Sequence, residues 1–365
     1  MWGVSMPKYP DKQWSKQSVK APDQRNDWRG VVIGHIDTGV TEHPALRHVL
    51  LKNGTNLVEP ENPPNLPLDP LNSGILHFPG HGTRTSSVLT GKDDGLSTGV
   101  VYAGVASGVP LIPFRITDTV ILSDILQKDV QHHIAEAIDM AVAAGCKVLS
   151  ISLGVPWIEY GVGVAVDKAY EAGVIICCAG AQDVNKVCYP AKYRRTIAVG
   201  GYTGYLNKKE MYWSYSQDGV FDDNPNIDIW APADPIWRAN VTRTNAGAES
   251  YDYGWGDGTS FATPHVAAAA AYWLAKHGTD IYADEPWQRV EAFRQLLKRT
   301  ASSLKDLPGF ENIRPPRPEE AVPSKGYTAG AEILTGGLNI AALLESALPA
   351  PDTLTKAPLA CKERI

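Results

Sequence analysis

The chain has 365 residues, of which 44% are hydrophobic and 20% charged, with a formal net charge of -6. Such a mixture is globular and can bury a sizeable core, which excludes disorder over most of the length. No basic block or Arg-rich aromatic face is present, so no nucleic-acid partner is expected, and no run approaches the ~18 consecutive apolar residues of a membrane span.

The five cysteines, Cys146, Cys177, Cys178, Cys188 and Cys361, are an odd number placed mostly in apolar runs. They are expected to be reduced and buried, because neither a disulfide framework nor paired metal-ligand spacing is visible. The first twenty residues contain no apolar core of a secretory signal, so a cytoplasmic location is expected.

After a polar, Trp- and Lys-containing start, VVIGHID (31 to 37) reads as a buried parallel strand running into a loop. Residues 53 to 80 are rich in Pro, Asn and Gly and are expected to be irregular. From Ser123, Ile125, Val130, Ile134, Ile138 and Ala141 fall near one helical face, with Ser123 or Asp124 as cap and Gly145 as stop. KVLSISLG then reads as a strand, 161 to 172 as a helix, and VIICCAG (174 to 180), RTIAVGG (195 to 201) and IDIWAP (227 to 232) as further strands. Helices are expected at 261 to 276, in EPWQRVEAFRQLLKRTA and in LNIAALLESAL, with a Pro-rich loop at 305 to 330. Alternating helices and strands predict a parallel sheet covered on both faces.

Three segments carry reactive side chains: HIDTGV around Asp37, GHGTRTSSVLTG around His81 and GTSFATPHVAAAAA around Ser260. A serine nucleophile needs an imidazole to take its proton and a buried carboxylate to orient that imidazole. Ser260 is expected at a helix N-terminus, where unpaired N–H groups can stabilise an oxyanion, and Pro264 where a first-turn proline is tolerated. Taken singly, Ser260 reads as an N-cap, His81 as a loop histidine and Asp37 as a turn acid. Their joint occurrence in the order Asp, His, Ser on an α/β pattern favours a catalytic triad.

DTGV, HGT and GTSFATPHVA resemble the three active-site signatures of the subtilases, and LSISLG, YPAKYRRTIAVGG and GGLNIAALL resemble further segments of that family. The resemblance implies an α/β fold, a mostly parallel sheet of about seven strands sandwiched by helices, with the cleft at the carboxyl ends of the strands. It covers residues 25–348 as one peptidase domain, leaving 1–24 as an N-terminal extension and 349–365 as a C-terminal tail. It further implies a serine endopeptidase acting on peptides or proteins, with substrate extended beside Ser152, Leu153 and Gly154 on one side and residues near 117 to 121 on the other.

Several positions depart from the family. Ala181 stands where the family has an Asn that donates to the oxyanion, which leaves three readings: a natural variant using Gln182 or Asn185, an engineered substitution, or weakened proteolysis. Arg84, Thr85 and Ser86 replace the usual residues after HGT. Ala45 replaces an acid of calcium-binding relatives, so calcium is only weakly supported. Asp93 and Asp94 read more simply as solvated acids, and no cofactor is required. Only about thirty residues precede the Asp37 strand, so no pro-domain is expected in this chain. The resemblance places Cys188 at the floor of the family's primary specificity pocket, implying an uncharged pocket of middling depth; read alone, it is a buried thiol with no role beyond packing. The alternatives to hydrolysis are a catalytically silent peptide-binding module and a transpeptidating ligase or cyclase; oligomeric state leaves no signal in the sequence.

Overall fold

Strand propensity concentrates in short runs of Val, Ile and Leu, and these form the centre of the molecule. The computed structural model describes residues 11–23, 27–61, 64–71, 78–93, 95, 102–120, 127–157, 160–181, 187–204, 227–243, 247–303 and 336–363. After a short helix, α1 (Trp14–Ser18), β1 (Ile33–Asp37) lies between β3 (Leu111–Arg115) and β4 (Val148–Ile151). β2 (Thr55–Asn56) extends the sheet beyond β3, while β5 (Ile175–Ala179), β6 (Ile197–Thr203) and β7 (Ile229–Asp234) extend it beyond β4. All seven strands pair in parallel, as the helix–strand alternation predicts.

Alternation along each strand divides the core in two. Ile33, Val148, Ile175, Cys177, Ile197 and Val199 pack on one face with α5 (Thr259–His277) and α6 (Trp287–Thr300). Ile36, Leu149, Ile151, Ile176 and Cys178 pack on the other with α3 (Gln127–Ala143) and α4 (Tyr160–Glu171). Val130, Ile134, Ile138 and Ala141 are the buried face of α3, and Gly145 follows it at φ 82. Ser123, Asp124 and Ile125, the expected cap and first apolar position, lie outside the described residues. α5 is buried almost throughout, and its run Ala267 to Ala271 has no exposed surface, so small side chains let it thread between the sheet and α6.

An antiparallel hairpin, β8 (Ile236–Arg243) with β9 (Glu249–Gly256), was not expected. Its signal is the period-2 series Trp237, Ala239, Val241 paired across the ribbon with Trp255, Tyr253 and Tyr251.

The segment expected as a tail is docked. Asp167 of α4 accepts the N–H groups of Ala360 (2.8 Å) and Cys361 (3.1 Å). Buried Arg195 donates to the carbonyls of Ala357 and Pro358 and pairs with Asp167 and Glu171, each at 3.0 Å. Low periodicity concealed this, because the attachment is through backbone polar groups rather than an apolar face. None of the five cysteines is joined in a disulfide. Among the described residues, no helix is long and apolar enough to cross a membrane.

Replacing Arg195 by Ala strips the buried carboxylate of Asp167 of its partner and frees the C-terminal segment. A loss of about 3 kcal/mol is expected, typical of breaking a buried ion pair. Urea unfolding measures it, and a midpoint equal to that of the parent would show that the segment adds nothing.

Candidate active site

β1 ends at Asp37, and α2 (His81–Thr90) begins at His81, directly above that strand end. The approach is close: a Cβ at Gly82 would lie 2.1 Å from the carbonyl oxygen of Gly39, so only glycine permits it. The two side chains meet, His81 Nδ1 lying 2.7 Å from Asp37 Oδ1. Asp37 has no exposed surface and His81 is 6% exposed.

Asp37 is met by other donors. The Thr38 N–H reaches Oδ1 at 2.7 Å, and Thr85 Oγ1 stands 3.3 Å from Oδ2. Burial alone would raise the Asp37 pKa; the charge interaction and hydrogen bond with His81, nearby His35 and the Thr38 N–H outweigh it and hold the group below the ordinary carboxylate range. Thr38 is itself fixed, donating from Oγ1 to Asp69 Oδ2 (2.5 Å) and accepting the Gly82 N–H (3.0 Å). Burial raises Asp69 despite its hydrogen bonds from Thr38, Leu71 and Gly80. Sequence reasoning missed Asp69, which sits in the Pro- and Asn-rich stretch with no local signal.

Ser260 is the second residue of α5, in the turn whose N–H groups a helix leaves without internal acceptors. Pro264 is not in the first turn as expected but inside the helix. Its missing N–H is the one that would bond to the carbonyl four residues back, that of Ser260. That freed carbonyl accepts the Ser152 hydroxyl at 2.9 Å, and the Ser260 hydroxyl donates in return to the Ser152 carbonyl at 2.8 Å. The ring of Phe261 lies 6.4 Å from that of His81 and 5.6 Å from the guanidinium carbon of Arg238, joining α5, α2 and the hairpin.

Beyond Ser152, Leu153 is buried and Gly154 packs on Cys188, where a Cβ on the glycine would come within 2.9 Å of the cysteine Cβ. Val155 and Tyr189 exchange backbone hydrogen bonds, and Cys188 N–H donates to the Gly180 carbonyl. These three short backbone segments therefore frame Cys188, whose thiol is pushed up to about 11 by burial. Ala181 follows Gly180 at φ 82, a left-handed conformation costing a non-glycine residue about 1–2 kcal/mol. Gln182 and Asn185 lie outside the described residues, as does Asp94. Of the segment expected on the far side of the cleft, residues 117–120 are described and follow β3.

Two positions bear on calcium. Ala45 is buried and offers no side-chain oxygen, Asp93 Oδ1 accepts the Gly95 N–H, and among the described residues no three His, Cys, Asp or Glu cluster.

Fold and site define an α/β protein that gathers a buried carboxylate and an imidazole at the carboxyl end of a central strand, with a serine at the start of a buried helix. The subtilase family profile matches residues 28–326, and the chain belongs to that family. It is 29% identical to subtilisin E of Bacillus subtilis over 295 residues, 78% of this chain and 65% of subtilisin E. It is 30% identical to subtilisin Savinase of Lederbergia lenta, across 80% of this chain and 91% of that protein. Fervidolysin from Fervidobacterium pennivorans, a keratinolytic enzyme related to subtilisin, shares the fold with a TM-score of 0.63 at 22% identity, covering 92% of this chain and 46% of fervidolysin.

Proposed function

We propose that this chain is a serine endopeptidase in which Ser260 is the nucleophile, His81 the general base and Asp37 the group that orients His81. The carrying observation is the 2.7 Å contact between His81 Nδ1 and a fully buried Asp37, which supports a fixed tautomer with Nε2 available as base. For attack, the Ser260 hydroxyl leaves the Ser152 carbonyl and turns its proton to His81 Nε2. Oγ bonds to the substrate carbonyl carbon, and the resulting oxyanion lies at the Ser260 N–H. The imidazolium, stabilised by Asp37, then protonates the departing amine. Water repeats the sequence on the acyl-enzyme, returning the acid product and the serine. No organic cofactor enters.

The substrates proposed are peptides or proteins, bound extended along Ser152, Leu153 and Gly154. A reducing compartment, the cytoplasm, is proposed from the buried Cys146, Cys177 and Cys178. Domain limits are proposed at 25–348, between the N-terminal extension 1–24 and the docked C-terminal segment. Ala181 favours a second reading, a weakened enzyme or a silent peptide-binding module, because the position presents only a methyl group.

Ser260→Ala should abolish amide hydrolysis and labelling by a fluorophosphonate probe while peptide binding persists. Labelling that survives the substitution would remove Ser260 from its role; no labelling of the parent would favour the silent module.

Cys188 is proposed as the floor of the pocket for the residue before the cut. Cys188→Phe should shift a peptide-library cleavage profile towards smaller side chains there. An unaltered profile excludes Cys188 from the pocket.

Ala181→Asn should raise kcat with little change in KM, by up to about 10² to 10³ fold if the donor is otherwise lacking, the range the subtilisin oxyanion asparagine has itself defined. Asn also tolerates positive φ better than Ala, so stability should not fall. No gain, together with a large loss in Gln182→Ala or Asn185→Ala, would mean that another side chain already serves the oxyanion.

A further inference from the structure

One fully buried titratable side chain beside the site has no part in the chemistry above: His35. It stands two residues before Asp37 on β1, so strand alternation puts both on the α2 face of the sheet, and neither side chain has any exposed surface. His35 Nε2 lies 3.0 Å from Thr85 Oγ1 and 3.8 Å from Asp37 Oδ2. Thr85 lies one turn after His81 on α2, its hydroxyl 3.3 Å from the same Oδ2. The three groups thus follow in line: imidazole, hydroxyl, carboxylate.

Burial lowers the His35 pKa, and the attraction of Asp37 only partly offsets it, so the ring is neutral where a peptidase would work. The charged or titratable groups that face it are Asp37 on its own strand and His81 on α2. The flanking strands put Pro113 and Ser150 beside it, neither of them charged. A neutral ring has one N–H to place. With the proton on Nε2, His35 donates to the Thr85 oxygen, and the Thr85 proton is free to turn to Asp37. With the proton on Nδ1, Thr85 would have to donate to His35 and Oδ2 would lose its donor. The negative charge of Asp37 favours the first arrangement.

The hydroxyl has competing acceptors within its own helix, the carbonyls of His81 (3.1 Å) and Gly82 (3.2 Å), the usual destinations of a helical threonine. A donor fixed on its lone pair restricts that choice.

We propose that His35 and Thr85 are positioning residues for Asp37. Neutral His35, acting through the Thr85 hydroxyl, holds Oδ2 so that Oδ1 stays aimed at His81 Nδ1. The inference rests on the Asp37–His81–Ser260 reading above.

Thr85→Val keeps the shape and removes the hydroxyl. Because the lost bond is a long one to a charged group, kcat on a peptide amide should fall about tenfold, equivalent to about 1.4 kcal/mol in the barrier, with KM held within about twofold. The acidic limb of kcat/KM should move to higher pH, because the lost dipole has its positive end towards Asp37 and His81. Thr85→Ser should recover most of the rate. His35→Leu should match Thr85→Val, and the double variant should be no worse than the poorer single one, as expected for groups acting in series. His35→Gln, whose amide N–H reaches the place of Nε2, should recover activity that His35→Asn does not.

Parental kcat and an unmoved acidic limb in folded Thr85→Val and His35→Leu would overturn the proposal. So would equal losses in Thr85→Ser and Thr85→Val. If those apolar variants fail to fold, the Gln and Asn variants at 35 decide, and equal activity in the two would overturn it. Ser260→Ala in the same assay separates the two levels. Turnover that persists there defeats the triad reading itself, whereas turnover lost there but untouched in Thr85→Val defeats only the role of His35 and Thr85.

Discussion

A carboxylate with no access to water must have hydrogen-bond donors on its oxygens or give up its charge. Asp37 is such a group, and much of the surrounding geometry follows from satisfying it. Oδ1 takes the Thr38 N–H and His81 Nδ1, which requires α2 to start almost in contact with the end of β1. That proximity is possible because residue 82 is glycine and because Thr38 bridges the Gly82 N–H to Asp69. Strand end, helix start and a distant loop acid therefore form one rigid unit, and the imidazole inherits its orientation from it.

The serine end is built on a defect in the helix rather than on charge. Pro264 breaks the internal hydrogen-bond ladder at the carbonyl of Ser260, and Ser152 supplies the missing donor. One bond thereby ties the start of α5 to the segment after β4 that is proposed to bind substrate. In return the Ser260 hydroxyl donates to the Ser152 carbonyl, so the two serines are joined twice. Ala181 follows the end of β5 by two residues. Its backbone adopts a conformation suited to Gly or Asn, while its side chain adds neither freedom nor a donor.

The parallel sheet, the central helix, the meeting of Asp37 with His81 and the place of Ser260 at a helix start were legible because each leaves a strong local trace: apolar runs, an Ala-rich series, and Gly-framed Asp, His and Ser. Residues that act through distant partners left none. Asp69 meets Thr38 across thirty-one positions and His35 meets Thr85 across fifty, so neither pairing follows from spacing. The docking of 357 to 361 was hidden for a related reason, since Arg195 and Asp167 recognise backbone carbonyl and N–H groups that every sequence carries. Pro264 was misplaced by one turn, because glycines and small residues before Ser260 do not fix where the helix starts.

α2 explains why the residues after HGT can depart from the family without loss of order. The helix is buried on almost every side, yet Thr83, Thr85, Ser86, Ser87 and Thr90 are polar, the reverse of an apolar buried helix. Several of these hydroxyls dock α2 against a different element: Thr83 accepts the Thr41 N–H, Thr85 lies between His35 and Asp37, Ser87 accepts the Ala239 N–H of β8, and Thr90 donates to the Val109 carbonyl. Short hydroxyl side chains fill little volume and form directional bonds, so they set the position of the helix along and around its axis, which apolar packing leaves looser. For the element that carries His81, that extra definition bears on geometry where tenths of an ångström matter. The departure at 85 and the serine at 87 are therefore coupled to β1 and to the hairpin, and replacing either one alone with an apolar residue would leave a buried partner on the other element unsatisfied.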